Sequence, residues 1–196
     1  FLVFIVAIEM QTTTLIKLFS SGLLLAPAIW FFLKDYQKSR LLTLFNPELD
    51  PLGAGYHSIQ SKIAIGSGGF WGKGLLAGTQ SRLNFLPEKH TDFIFSVFAE
   101  ETGFFGVAVL LSLFLFVILK GLNIAFRAVD RFGFFLSLGL ISSIAFYIIF
   151  NVGMTIGLFP ITGIPLPLMS YGGSSLITNF FAIGLLLNVE MRRTIH

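Results

Sequence analysis

Residues 93–119, FIFSVFAEETGFFGVAVLLSLFLFVIL, form the stretch that determines the fold class of this chain. Its only charged residues are Glu100 and Glu101, near its start, and the remainder is almost entirely apolar. A membrane-spanning helix needs about 20 apolar residues, and backbone polar groups in hydrocarbon must be hydrogen-bonded within the segment. The stretch therefore predicts a membrane-spanning α-helix rather than a strand.

The composition of the whole chain indicates the same class. Hydrophobic residues make up 55% of the 196 residues, charged residues make up 12%, and the mean hydropathy is +0.85. Soluble globular domains contain about 25% charged residues, so this chain lies outside that class. The net charge of +3 is dispersed and forms no basic block, which argues against nucleic acid as a partner. The absence of Cys excludes disulfides, a thiolate nucleophile and cysteine metal sites.

Hydropathy predicts three further membrane spans. They are residues 15–33, 132–159 and 176–189. The chain is thus predicted to be an all-α, polytopic membrane protein with about four transmembrane helices in a single membrane domain, residues 1–196. Residues 1–8 are apolar but too short to span, and they lack the features of a signal peptide. We interpret them as the end of an earlier helix, which makes the chain the C-terminal part of a longer protein.

A large polar loop, residues 34–91, separates the first two predicted spans. Asn46-Pro47 and Asp50-Pro51-Leu52-Gly53 predict turns within it. Residues 58–65 predict a short amphipathic helix, which the glycine-rich residues that follow would end.

The charges of the loops predict the orientation of the chain. Lys and Arg are enriched in short cytoplasmic loops. Residues 127–131 and the C-terminal residues are basic, whereas residues 160–173 contain neither Lys nor Arg. The large loop is also basic, but loops approaching about 60 residues follow this rule poorly. We therefore expect the large loop outside the cytoplasm and the C-terminus inside.

A group of titratable residues precedes the second span. Its members are Glu88, Lys89, His90 and Asp92. Asp92 lies where the positive end of the helix dipole favours an anion. The residue types leave two interpretations open: a capping carboxylate with interfacial charges, or a partly desolvated carboxylate that acts as a general base. His90 and Asp92 provide only two ligands, which is weak support for a metal site.

Glu100 and Glu101 lie roughly 12 Å along the helix from Asp92, at about 1.5 Å per residue. Acidic residues at that depth usually face a cavity or a partner, and a position at the membrane interface is the alternative.

The glycine-rich run GSGGFWGKG, residues 66–74, resembles a phosphate-binding loop but does not match its pattern. Ser67 stands where the first Gly is required, and Gly74 stands where Ser or Thr is required. We interpret the run as a connector. The alternative is that its amides and Lys73 contact an anionic substrate.

Residues 160–175, PITGIPLPLMSYGGSS, are too rich in Pro and Gly to be helical throughout. Irregular backbone at membrane depth is tolerated only against protein or a water-filled cavity. We expect this segment to re-enter the membrane or to cap a cavity, with a simple outside turn as the alternative. Asn151, in the preceding span, is interpreted as an interhelical hydrogen-bonding residue.

Several motifs occur in one order along the chain. They are DPLGAGY (50–56), QSKIAIGSGG (60–69), FLPEKHTDFIF (85–95) and SYGGSS (170–175). These motifs resemble the SEDS family (RodA, FtsW and SpoVE), and the wording YHSIQSKIAIGSGG is more similar to RodA than to FtsW. The resemblance covers nearly the whole chain from Trp30 onwards.

The resemblance implies a peptidoglycan glycosyltransferase that polymerises lipid II at the outer face of the bacterial cytoplasmic membrane, in cell elongation and cell-shape maintenance. It implies about ten membrane helices, of which this chain holds the last four and a remnant, without the N-terminal helices that complete the family's central cavity. It also implies that loop 34–91 is the extracytoplasmic catalytic loop and that Asp92 is the family's essential Asp. The implied partners are a class B penicillin-binding transpeptidase and cell-shape scaffold proteins.

We therefore expect Asp92 to take the proton from an acceptor hydroxyl, which attacks the anomeric carbon of a lipid-pyrophosphate-linked donor with inversion. A divalent cation (Mg²⁺ or Mn²⁺), or a basic residue such as Lys73, would balance the leaving pyrophosphate. No organic cofactor is expected. The residues expected to help in binding substrate are Glu88, Lys89, His90 and Ser170.

Other functions remain open at this stage. A lipid II flippase would place Glu100 and Glu101 along its path. An inactive chain that scaffolds its transpeptidase, or a remnant of a broken gene, would need no reactive Asp92.

Overall fold

The computed structural model describes residues 12–50, 53–79 and 91–194, and these residues are helical or irregular. The helices are α1 (Thr12–Phe32), α2 (Asp35–Phe45), a 3₁₀ turn (Pro47–Leu49), α3 (Ala54–Ser67), α4 (Ile94–Phe126), α5 (Arg131–Ile156) and α6 (Gly173–Thr194). The predicted all-α class is confirmed. Residues 1–8, interpreted above as the end of an earlier helix, lie outside the described residues.

Three described helices are long and apolar enough to cross a membrane: Ile94–Phe126, Arg131–Ile156 and Gly173–Arg192. They confirm the last three predicted spans. The first predicted span is helical as α1, which contains Pro27, but its crossing of the membrane stays a prediction.

The ends of α5 show how its sequence sets its length. Asp130 caps the start, because its side chain accepts a hydrogen bond from Gly133 N. Gly157 ends the helix in the left-handed conformation at φ 80°, which glycine adopts without strain. The predicted span to residue 159 was therefore too long, since the left-handed cap stops the helix at Ile156.

The large loop begins with a helix, α2, that the sequence did not predict. Its basic start indicated only a membrane edge. The Gln37 side chain accepts a hydrogen bond from the Lys34 backbone N–H at 3.0 Å, and this stabilises the first turn. At the other end Asn46 accepts from Glu48 N at 3.3 Å, which confirms the turn at Asn46-Pro47. Of the second predicted turn, Pro51 and Leu52 lie outside the described residues.

The predicted short helix at residues 58–65 is confirmed as the longer α3. Its buried face carries the small residues Ser61 and Ala64, both fully buried, whereas Ile59 and Ile63 are exposed. The face of α3 that packs on the protein is therefore the one with small residues, and two of its large apolar side chains face outwards. Small side chains allow close approach of neighbouring helices, and apolar side chains can face lipid or further helices.

The core lies where α4 packs along α5, with α3 against both and α6 closing the other side. Buried apolar residues from α4, α5, α6 and the 160–172 segment meet there: Phe95, Phe114, Ile144, Ile148, Leu166 and Ala182. Gly121 allows the close crossing of α4 and α5, since a Cβ there would lie 2.6 Å from Ile141 Cδ1. The arrangement holds the start of α4 between α3 and α5.

Helix α4 is broken at Gly103, which has φ 66° and ψ −165°. The break separates a short half-helix, residues 94–102, from a long one, residues 104–126. A side chain is disfavoured here for two reasons. Positive φ is strained for other residue types, and a Cβ would lie 2.7 Å from Phe70 O in the glycine-rich run.

The glycine-rich run, residues 66–74, enters this break, and we call it the plug. Lys73 N and Gly74 N donate to the carbonyls of Glu100 and Glu101, each at 3.0 Å. In return, Phe104 N donates to Gly69 O at 2.9 Å, and Phe105 N donates to Phe70 O at 3.3 Å. The plug thus satisfies backbone groups that the break releases, as a broken membrane helix requires. It is a built part of the fold and not a flexible connector.

Candidate active site

Asp92 lies in the turn at residues 91–93, immediately before the short half-helix, and it is half-buried. Phe93, the N-cap residue of α4, is buried beside it at 2% exposure. Asp92 therefore stands at the positive end of the half-helix, as the sequence predicted.

Two side chains hold the backbone on either side of the Asp92 α-carbon. Ser170 Oγ donates to Thr91 O at 2.8 Å, and Asn151 Nδ2 donates to Asp92 O at 3.0 Å. Each side chain also bonds the 160–172 segment. Leu166 N donates to Ser170 Oγ at 2.6 Å, and Asn151 Nδ2 donates to Ile164 O at 2.7 Å. We call Asn151 and Ser170 the clamp.

The clamp residues are buried, with Asn151 at 0% and Ser170 at 5% exposure. Asn151 joins α5 to the turn at Asp92 and to the 160–172 segment. It therefore bonds between parts of the chain as expected, but its acceptors lie in non-helical segments and not in a neighbouring helix. Ser170 acts as both donor and acceptor towards the protein. The structure therefore places it as a support for Thr91 and Leu166, and direct contact with substrate stays a prediction.

The 160–172 segment also passes against the Asp92 carboxylate. A Cβ at Gly163 would lie 3.2 Å from Asp92 Oδ2, and Gly163 has φ 73°. Glycine at this position allows both the backbone conformation and the close approach. Leu166 and Pro167 are fully buried, so the segment packs against protein and is not a simple outside turn.

Two grooves adjoin the segment. One, of about 400 Å³, is lined by Ile94, Leu176 and residues 168–173. The other, of about 230 Å³, has hydroxyl and amide groups from the start of α6, with Pro165 and Pro167 on its other side. The segment thus borders two open grooves, and its expected role in capping a cavity stays a prediction.

Two basic side chains of the large loop lie near this part of the chain, Arg40 on the segment itself and Lys62 at the end of α5 just before it. Arg40 Nη1 donates to Ile161 O at 3.1 Å, and the Lys62 side chain lies over Gly157. Neither residue was predicted to belong to the site. The available signal was position, since Arg40 ends the basic run at the membrane edge and Lys62 lies within the QSKIAIGSGG motif.

Lys73 was predicted to contact the substrate, but in the structure it is bound to Glu100. Its Nζ forms an ion pair with Glu100 Oε1 at 2.7 Å, with Lys73 at 27% and Glu100 at 0% exposure. Thr79 joins them, donating to Glu100 Oε1 from its backbone N at 2.8 Å and from Oγ1 at 2.9 Å. A role for Lys73 in binding substrate stays a prediction.

Glu88, Lys89 and His90 lie outside the described residues, so their predicted roles in binding substrate stay predictions. Within residues 12–50, 53–79 and 91–194, no group of three or more His, Asp or Glu side chains is placed to hold a metal ion. The expected divalent cation accordingly stays a prediction as well.

These features define a polytopic helical membrane protein. Its long apolar helix is broken and bonded to the plug, and an acidic residue, Asp92, stands just before that helix. Residues 1–195 match the family model FtsW/RodA/SpoVE, described as "Cell cycle protein". The chain belongs to this family.

The similar proteins carry enzyme names. The chain is 54% identical over 168 residues to "Peptidoglycan glycosyltransferase MrdB" of Escherichia coli K12, covering 85% of this chain and 45% of that protein. It is 50% identical over 161 residues to "Peptidoglycan glycosyltransferase RodA" of Treponema pallidum, covering 82% of this chain and 37% of that protein. The chain thus spans less than half the length of these relatives, and the predicted closeness to RodA is confirmed.

A solved structure has the same fold. It is described as "Structural coordination of polymerization and crosslinking by a peptidoglycan synthase complex". The TM-score is 0.75 at 34% identity, over 97% of this chain and 52% of that one. The fold of this chain is therefore about half of the larger helical fold seen there.

Proposed function

We propose that this chain is the C-terminal part of a peptidoglycan glycosyltransferase that polymerises lipid II, with Asp92 as the general base. The observation that carries the proposal is the placement of Asp92. It stands at the start of a half-helix, its backbone is held by the clamp, and its carboxylate lies against Gly163. The names of the similar proteins support the reaction class.

In the proposed reaction, an Asp92 carboxylate oxygen accepts the proton of the acceptor sugar's hydroxyl. The hydroxyl oxygen then forms a bond to the anomeric carbon of the donor, from the face opposite the leaving group. The bond between that carbon and the lipid-linked pyrophosphate breaks, and the pyrophosphate leaves with the electron pair. Holding the base and both lipid-anchored substrates in place removes much of the entropic barrier.

The negative charge on the leaving pyrophosphate needs a cation. Mg²⁺ or Mn²⁺ remains one source of that charge. Among the basic residues, Arg40 contacts the segment that lies against Asp92, and Lys62 lies over Gly157, just before that segment. Lys73, in contrast, is paired with the buried Glu100. We therefore propose Arg40 and Lys62, ahead of Lys73, as the groups that contact the pyrophosphate.

The proposed setting is the bacterial cytoplasmic membrane, with several spans, the large loop outside and the C-terminus inside. The charges of the short loops support this orientation. A class B penicillin-binding transpeptidase and cell-shape scaffold proteins are the proposed partners. The similarity to a protein of a peptidoglycan synthase complex supports the first of these.

The structure gives less support to a flippase. A flippase would place Glu100 and Glu101 along the path of a transported lipid, but Glu100 is fully buried and binds Lys73 and Thr79. Its carboxylate therefore binds the plug and does not face a path for a lipid. A purely structural role remains testable, because it predicts that cells tolerate loss of the Asp92 carboxylate.

The function is tested with the full-length parent protein and its transpeptidase partner in liposomes. Lipid II polymerisation and lipid II translocation are measured for the native protein and for Asp92→Asn. Asp35→Asn is the matched control, since Asp35 is an exposed carboxylate of the same loop. We expect polymerisation by the native and control proteins only. Translocation without polymerisation would support the flippase, and growth complementation by Asp92→Asn would support the scaffold.

A further inference from the structure

Glu100 is a buried charge that the proposed reaction does not use. Several donors converge on its Oε1 atom: Lys73 Nζ at 2.7 Å, Thr79 N at 2.8 Å, Thr79 Oγ1 at 2.9 Å and Ser67 Oγ at 3.4 Å. Bonds to an ionised carboxylate are stronger than bonds between neutral groups. Glu100 therefore joins the end of the short half-helix to the plug and to Thr79 beyond it.

Asp92 and Glu100 lie at opposite ends of the half-helix 94–102. Asp92 lies just before the half-helix and Glu100 lies near its end, roughly 12 Å away at about 1.5 Å per residue. Between them, Ser96 Oγ contacts Ser61 Oγ at 2.7 Å, and Ser61 Oγ donates to Thr155 O at 2.6 Å. The half-helix is thus supported at its start, its middle and its end, and a shift at its end moves Asp92.

The break at Gly103 makes the support at the end necessary. Beyond Thr102 the half-helix has no continuous helical backbone to hold it, because Gly103 leaves the helical conformation. The plug supplies the missing restraint through its backbone bonds to Glu100 and Glu101 and through the ion pair. Of these restraints, the ion pair between Lys73 and Glu100 can be removed without altering the backbone.

We propose that the Lys73–Glu100 ion pair positions Asp92 by fixing the far end of the half-helix that carries it. Glu100 is a positioning residue in this account, and Lys73 is its partner. The inference rests on the proposed function, because its readout is the rate of glycosyl transfer. It assigns to Lys73 a task different from binding the substrate's pyrophosphate.

Stability and positioning respond differently to loss of charge. A buried ion pair often contributes little net stability, whereas removal of one partner leaves an uncompensated charge in the interior. Glu100→Gln keeps an oxygen that can accept from Thr79. Lys73→Met keeps most of the side-chain volume but leaves the Glu100 charge without its cation. The double variant removes both charges, so it should recover stability. It should not recover the strong bond between the half-helix and the plug.

The experiment uses the full-length parent in detergent with its transpeptidase partner. The variants are Glu100→Gln, Lys73→Met, their double variant, and Glu101→Gln as the matched control. Glu101 is the adjacent carboxylate, and its contact with the plug uses its backbone carbonyl. Four quantities are measured: the melting temperature, kcat for lipid II polymerisation, KM for lipid II, and hydrogen exchange at the amides of Lys73, Gly74, Phe104 and Phe105.

We expect Glu100→Gln to lower kcat about tenfold, with KM changed less than about twofold, as loss of alignment requires. Exchange at the four amides should become faster. Lys73→Met should lower both kcat and the melting temperature. The double variant should regain the melting temperature but keep the low kcat, and Glu101→Gln should match the native protein.

Two results would overturn the inference while leaving the proposed function intact. One is a Glu100→Gln protein whose kcat equals that of the Glu101→Gln control. The other is a kcat that follows the melting temperature through all variants, so that the double variant regains both. If the native parent does not polymerise lipid II at all, the proposed function fails, and this inference fails with it.

Discussion

The two ends of the half-helix 94–102 are held in different ways. At its start, the neutral side chains Asn151 and Ser170 bond to backbone carbonyls of the turn that carries Asp92. At its end, the carboxylate of Glu100 itself is buried and bound to Lys73 and Thr79. Two acidic residues on one short element thus have opposite tasks. The clamp bonds to the main chain at Asp92, whereas Lys73 of the plug forms an ion pair with the side chain of Glu100.

This difference indicates how a broken membrane helix can carry a reactive group. A charge in the interior must be paired and hydrogen-bonded, and Glu100 meets that requirement. A general base must remain accessible to its substrate. Asp92 meets this second requirement, because it is only half-buried beside the segment 160–172.

Gly103 should tolerate substitution least. Gly103→Val places a β-branched side chain at positive φ and against the plug backbone near Phe70 O, which costs about 1–3 kcal/mol in backbone strain alone. We expect the full-length protein to lose its folded form, as measured by thermal unfolding in detergent. Gly22→Val in α1, where a Cβ would meet open space, is the control. A folded Gly103→Val protein would show that the plug can move aside.

Gly163 should tolerate substitution poorly for a local reason. Gly163→Ala adds a methyl group 3.2 Å from Asp92 Oδ2 at a position of positive φ. A shift of the carboxylate by about 1 Å is enough to lower kcat about 100-fold. Lipid II polymerisation should fall to that extent while the protein stays folded. Gly172→Ala, with only ordinary contact predicted for its Cβ, should lose much less, and equal losses would argue against the contact with Asp92.

The clamp residues should show smaller effects. Ser170→Ala leaves Thr91 O without its hydroxyl donor and Leu166 N without its acceptor, at a cost of about 1–3 kcal/mol. Polymerisation should fall about tenfold, which corresponds to about 1.4 kcal/mol in the barrier. Thr178→Ala removes a hydroxyl bonded only within its own helix and serves as the control. A Ser170→Ala enzyme of native activity would show that the clamp is dispensable.

The basic residues Arg40 and Lys62 provide the mildest test, because both are exposed. Arg40→Gln and Lys62→Gln should each weaken polymerisation several-fold and raise KM more than they lower kcat. Lys38→Gln, in the same loop, is the comparison. If only Lys73→Met raised KM, the pyrophosphate contact would belong to Lys73 after all.

Much of the fold could be predicted from hydropathy, because membrane spans are long and apolar. The break at Gly103 could not, since a single glycine in an apolar run carries no signal of its own. Its partner, the plug, lies far away in sequence and is recognisable only by contact. The helix α2 was missed because its basic start is equally typical of a membrane edge.

The candidate site was predictable in part. The place of Asp92 before a membrane helix left a capping and a catalytic interpretation open, and the resemblance to the SEDS family selected the second. Asn151 stood out as a polar residue inside a membrane helix. The long-range contact that pairs Lys73 with Glu100 has no signature in the sequence. Lys73 was therefore predicted to contact the substrate's pyrophosphate. Arg40 contacts Ile161 and Lys62 contacts Gly157 only because α2 and α3 fold back onto the end of α5 and the segment that follows it.

The most direct test of the central claim separates binding from chemistry at Asp92. Lipid II affinity and the single-turnover rate of glycosyl transfer are measured for the full-length native and Asp92→Asn proteins. We predict that Asp92→Asn binds lipid II within about threefold of the native Kd but transfers at least about 100-fold more slowly, as loss of a general base requires. Retention of the native transfer rate, or loss of binding as the only defect, would contradict the account.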